Sequence, residues 1–116
     1  MTQLEAIIAL LGRSRFSLSN EKALQIEIAD ALTEAGLPFE RECHVHGGII
    51  DFVVSGDVGV EVKIKAPKRQ IWRQCSAYLE EARLSSLIIA TATAMGVPPS
   101  PTGKPVHVVN LGRAWL

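Results

Sequence analysis

Asp51, Glu61 and Lys63 are the residues of this chain whose types and spacing suit phosphate and metal chemistry. They lie in Gly48–Lys65, where two β-branched runs, Ile49–Val54 and Val58–Ile64, flank Ser55-Gly56-Asp57. Apolar runs split by a glycine-containing triplet read as a β-hairpin. A three-residue loop, Ser55–Asp57, pairs Val54 with Val58, Val53 with Gly59 and Asp51 with Glu61. Directly paired residues share a face, with Cβ atoms about 5 Å apart, so Asp51, Glu61 and Lys63 converge. A two- or four-residue loop shifts the register by one and sends Asp51 to the other side.

Two adjacent carboxylates repel unless positive charge sits between them. Carboxylate oxygens suit Mg²⁺, with Mn²⁺ as a substitute. A lysine two residues past Glu61 adds a mobile donor able to hold a water or a phosphate oxygen. The opposing reading is an amphipathic edge hairpin with solvated Glu and Lys.

The flanking elements decide between these readings. Thr2–Leu11 has Leu4, Ile7, Ile8 and Leu11 at helical spacing, and Gly12-Arg13-Ser14-Arg15 ends it. A second helix begins at an N-cap, Ser19 or Asn20, runs to about Ala35 and stops at Gly36. Its apolar stripe is Leu24, Ile28, Ala31, Leu32 and Ala35. Glu21 and Gln25 fall within or beside that stripe, and Glu27 points to solvent. A carboxylate and an amide on a buried edge need partners. A strand follows at Glu40–Val45, where Arg41 reads as a surface-pair residue and His44 and His46 alternate without a recognisable third metal ligand.

After the hairpin, a helix is predicted over Lys68–Arg83. Lys63, Lys65, Lys68, Arg69 and Arg73 precede Leu79 with no intervening acid. The formal net charge is zero, so nucleic-acid binding requires a local patch of this kind. Gln70, Gln74 and Tyr78 lie on one side of this helix, within reach of a backbone or base. Trp72 reads as a packing residue in preference to a stacking platform. Ser86–Thr93 is a continuous apolar strand, and Val106–Leu111 is the last strand. Trp115-Leu116 suits either a dimer contact or packing onto the domain.

With 116 residues and 47% hydrophobic content, the chain reads as one α/β domain, 1–116. Cys43 and Cys75 read as free thiols of a cytoplasmic protein. No stretch has a signal-peptide or membrane-spanning pattern.

The order is a helix with Glu21 and Gln25, a strand with Ile50-Asp51, a turn, a strand with Glu61-Val62-Lys63, a cationic helix with Gln74, and an apolar strand. Over Glu21–Thr93 this resembles the PD-(D/E)XK nuclease superfamily, and looks most like its small phage and Holliday-junction-resolvase members. Ile50 stands where the motif's name has proline. The resemblance implies a restriction-endonuclease-like fold, with a mixed central β-sheet flanked by α-helices. It implies that Asp51, Glu61 and the Val62 carbonyl bind Mg²⁺, with Glu21 or Gln25 completing the site, and that Lys63 orients or deprotonates the attacking water. The expected activity is Mg²⁺-dependent DNA endonuclease, structure-specific or nonspecific, leaving 5′-phosphate and 3′-hydroxyl ends. Lys65, Lys68, Arg69, Arg73 and Gln74 would contact DNA, and small size makes a homodimer attractive. The alternative is a non-catalytic nucleic-acid-binding module on the same fold.

Overall fold

The computed structural model describes residues 1–116. Helix α1 (Gln3–Arg13) is capped by the Thr2 hydroxyl on the Glu5 amide, and α2 (Glu21–Glu34) by the Asn20 side chain on the Ala23 amide. Gly12 does not end α1; the helix runs on to Arg13. Five strands follow: β1 (Phe39–Val45), β2 (Gly48–Val54), β3 (Val58–Lys63), β4 (Ser86–Thr91) and β5 (Val106–Asn110). Helix α3 (Lys68–Tyr78) connects β3 to β4.

The protein is α/β, with a mixed sheet of order β1-β2-β3-β4-β5. The pairs β1–β2 and β2–β3 are antiparallel, whereas β3–β4 and β4–β5 are parallel. The β2–β3 loop has the three residues Ser55–Asp57, so Val54 faces Val58 and Val53 faces Gly59. Ser55 and Gly56 both take left-handed backbone conformations there.

Helices cover both faces of the sheet. Ile7, Leu11, Leu24, Ile28 and Leu32 of α1 and α2 pack on Phe52, Val54, Val58, Val60, Val62, Ile88 and Ala90. On the other face, Ile71, Cys75 and Tyr78 of α3 pack on Ile50, Val53, Leu87 and Ile89. Each fully buried aliphatic side chain contributes about 1.5–3 kcal/mol. Every residue of β4 is buried, as its unbroken apolar sequence requires of a strand covered on both faces.

Several boundaries differ from the sequence reading. Helix α3 stops at Tyr78 rather than Arg83, because Leu79 and Leu84 both bury in the α3-side core. Five residues apart, they do not share a helix face, and the chain tightens into turns closed by Leu79 N–H to Ser76 and Glu80 N–H to Ala77. Strand β4 ends at Thr91 and β5 at Asn110. Glu27 does not point to solvent: it is half-buried, and its carboxylate accepts from the Ser17 amide at 3.1 Å. Trp115 packs back on the domain, donating to the Phe16 carbonyl at 3.1 Å beneath the Arg15 guanidinium.

The β1–β2 turn rests against α3. Gly47 has φ +93°, and a Cβ there would lie 2.6 Å from the Ala77 Cβ. Gly47→Ala combines a left-handed backbone with a clash, so it is expected to destabilise the fold by about 2 kcal/mol or more. Urea denaturation measures this; an unchanged midpoint would refute the packing of the turn on α3.

Candidate functional site

The site forms where the sheet's regular pairing fails. The β2–β3 ladder ends at Phe52 and Val60, one step short of Asp51 and Glu61. The β1–β2 ladder also omits Asp51 and its opposite residue Glu42, which has φ +52°. A left-handed conformation outside glycine costs about 1–2 kcal/mol. Side-chain direction changes at the same point: Phe52 enters the core under α1 and α2, while Ile50 enters the core under α3. Gly59 makes room for Ile50, because a Cβ at Gly59 would lie 2.7 Å from the Ile50 Cδ1.

The expected ladder pair Asp51–Glu61 is therefore absent, yet the two residues still meet, through side chains. The Asp51 amide donates to Glu61 Oε1 at 3.2 Å, and the Val62 amide donates to Asp51 Oδ2 at 2.8 Å. Carboxylates thus replace the backbone acceptors that the opened ladder would have supplied. Gln25 Nε2 donates to Asp51 Oδ1 at 3.2 Å, and Arg41 donates to Gln25 Oε1 at 3.2 Å. The Arg41 guanidinium lies over the Phe52 ring, 5.4 Å from its centroid. Arg41 is thus part of the site rather than a surface-pair residue.

Glu21 and Gln25 have separate places. Gln25 touches Asp51, whereas Glu21 Oε1 accepts from the Ile64 amide at 3.1 Å and holds the chain just past Lys63. These two residues, with Glu42, His44, Ile49 and Asp51, line a cleft of about 560 Å³ between α2 and the β1–β2 hairpin.

Tyr78 anchors the site from the other face. Its hydroxyl lies 2.9 Å from the Ile49 carbonyl and 3.4 Å from Glu61 Oε2, and receives the Gln74 amide at 3.0 Å. Tyr78 is fully buried, and a buried phenol needs such partners. Gln74, expected to reach DNA, is exposed, and its amide nitrogen donates to the Tyr78 hydroxyl. The sequence signal for Tyr78 was its position on the Gln74 side of α3; its spacing from Ile71 and Cys75 places it on the buried face of the helix, against the sheet.

Glu61 is 2% exposed. Burial pushes its carboxyl up to about 8, and the Asp51 charge beside it adds to the rise. Burial also raises Asp51, opposed by the Val62 N–H and the Lys63 charge. Cys75 lies beneath the pair, and burial and the Glu61 charge raise its thiol to about 12. Lys63 acts on both carboxyls through its charge but forms no ion pair with either; the molecule's ion pair is Arg83–Glu40.

Asp51 and Glu61 carry oxygen donors of the kind a hard divalent cation takes. No group of three or more His, Cys, Asp and Glu side chains is gathered to hold a metal, so a cation here would have only the two carboxylates as side-chain ligands. Mg²⁺ is typically held by one or two carboxylates, with water and phosphate oxygens completing the octahedron. Each oxygen of Asp51 and Glu61 accepts one protein donor, the two carboxyl groups also bond to each other, and a carboxylate oxygen has capacity for about two partners.

Lys65, Lys68, Arg69 and Arg73 are all exposed, and none is in an ion pair. Comparison with known proteins finds no matching family model, no matching curated protein and no matching solved structure.

The Glu61 carboxyl has a testable sign. In the unfolded chain it loses its proton near 4.5, and in the folded protein near 8. Its contribution to stability is full below the lower value and is lost as pH rises through the upper one. Glu61→Gln carries no such proton. With EDTA present, the variant's melting temperature is expected to gain several degrees on the wild type between about pH 5 and about pH 8.5. Parallel pH profiles would refute the buried, proton-holding Glu61.

Proposed function

We propose that this protein is a Mg²⁺-dependent DNA endonuclease of the PD-(D/E)XK type, with a restriction-endonuclease-like fold. The observation that carries the reading is the meeting of Asp51 and Glu61 at a break in the sheet, with the unpaired Lys63 at the end of the same strand. A purely structural sheet has no need of two carboxylates sharing a buried position, since the charge repulsion and burial are unfavourable.

Asp51 and Glu61, with the Val62 carbonyl, would hold the cation. When bound, it neutralises charge on the phosphate and makes water a better nucleophile. Lys63 orients the attacking water or takes its proton. Water attacks phosphorus in line and the P–O3′ bond breaks, a solvent water protonates the departing O3′, and a 5′-phosphate and a 3′-hydroxyl are left. Gln25, backed by Arg41, fixes the orientation of Asp51, and Tyr78 fixes Glu61. Lys65, Lys68, Arg69 and Arg73 give a neutral chain its local cationic face, which meets the phosphodiester backbone.

The test is cleavage of supercoiled, linear, single-stranded and four-way-junction DNA with Mg²⁺, Mn²⁺ or EDTA. Asp51→Ala and Lys63→Ala are each expected to lower the rate about 10²-fold or more while melting cooperatively. Full activity in either variant would overturn the assignment. Metal-independent binding without cleavage of any substrate would replace it with a binding module.

A further inference from the structure

A second hollow lies at the edge of the sheet where β3 and β4 end. Lys63 and Thr91 are paired there, and the chains leaving them are tied together, with Thr93 Oγ1 donating to the Ala66 carbonyl at 3.0 Å and accepting from the Ala66 amide at 3.3 Å. Between the segment after β4 and the first turns of α3 is a cavity of about 380 Å³. Its walls are Trp72, Met95, Val97 and Pro98, and Gly96, Lys68 and Arg69 complete the lining. This volume is within the range of about 300–1,000 Å³ typical of ligand sites.

Trp72 does not serve packing alone. It rests on the α3-side core but is only half-buried, and its remaining surface lines the hollow. Val97 on the opposite wall is 53% exposed. No acidic residue lines the hollow. The N-cap of α3 is Pro67, and no side chain caps the helix. The Gln70 and Ile71 amides turn back to the Pro67 carbonyl, which leaves the amides of Lys68 and Arg69 at the helix start, a place that favours an anion. An aromatic face in an apolar slot beside cations and free amides matches a nucleobase with its phosphate.

We infer that this hollow takes an unpaired base of a DNA strand, stacked on Trp72, with the adjoining phosphate on Lys68 and Arg69. The inference rests on the nucleic-acid reading above and specifies the substrate as DNA with a single-stranded portion. Lys68 is five residues beyond Lys63 in the chain, so the two lie within about 18 Å. A strand seated in the hollow therefore passes near the Lys63 end of β3, whereas an intact duplex keeps its bases stacked and cannot offer one to Trp72.

The test is fluorescence anisotropy with labelled oligothymidine and a duplex of equal length, in EDTA so that no cleavage intervenes. The wild type is expected to prefer the single strand. Trp72→Ala should weaken single-strand binding about 5- to 150-fold, the range of one base stack, with duplex binding within about twofold of wild type. Trp72→Phe should retain most of the affinity. Val97→Asp, at an exposed position, should weaken single-strand binding without lowering the melting temperature, and it decides the matter if Trp72→Ala unfolds. Equal loss on both DNAs, no loss in Trp72→Ala, or unchanged binding in Val97→Asp would overturn the inference. Trp72-dependent strand binding without metal-dependent cleavage would instead overturn the nuclease reading and leave this one standing.

Discussion

The structure depends on one exchange: at Asp51 and Glu61, side-chain carboxylates take the hydrogen bonds that a continuous β2–β3 ladder would have made. The Asp51 amide goes to Glu61 and the Val62 amide to Asp51. Opening the ladder otherwise leaves amides unpaired, a loss of about 1–3 kcal/mol each when buried. The two acids are thus part of what allows the sheet to split, and the split is what gathers them. Their repulsion opposes this arrangement, and the folded chain relieves it by keeping Glu61 protonated to about pH 8. A divalent cation would relieve it in another way, and so the chemistry of the site and its unfavourable electrostatics have one origin.

The surrounding residues hold this arrangement from both faces of the sheet. From the α2 side come Gln25 on Asp51 and Glu21 on the Ile64 amide, with Arg41 reaching Gln25 from β1. From the α3 side, Tyr78 joins Glu61 to the Ile49 carbonyl, and Gln74 holds Tyr78. Each acid is therefore positioned by a rigid element rather than by a loop, as the proposed reaction would require. Gly59 belongs to the same design, since its missing side chain admits Ile50 and lets β2 turn at Asp51.

The parallel half of the sheet provides the other edge. Strands β3 and β4 end together, and ligands of parallel sheets commonly sit beyond the carboxyl ends of the strands. Here that edge carries Lys63, the start of the cationic helix and the Trp72 hollow. The proposed path for a nucleic-acid strand joins these features without requiring net positive charge on the molecule.

Much of this was determined by the sequence alone. The α/β class, the β2–β3 hairpin around Ser55–Asp57 and the cationic start of α3 follow from local rules: period-two alternation, a glycine-containing triplet and an uninterrupted run of cations; the three-residue loop length, on which the register rests, is settled by the fold. Only the tertiary structure decided how the acids meet. The alternation of β2 breaks at Asp51 because Ile50 is drawn into the core under α3, a long-range packing effect with no periodic signature. The separation of Glu21 from Gln25, the recruitment of Arg41 and the end of α3 at Tyr78 have the same cause. Each is settled by which distant surface a side chain can bury against, and no spacing along the chain records that.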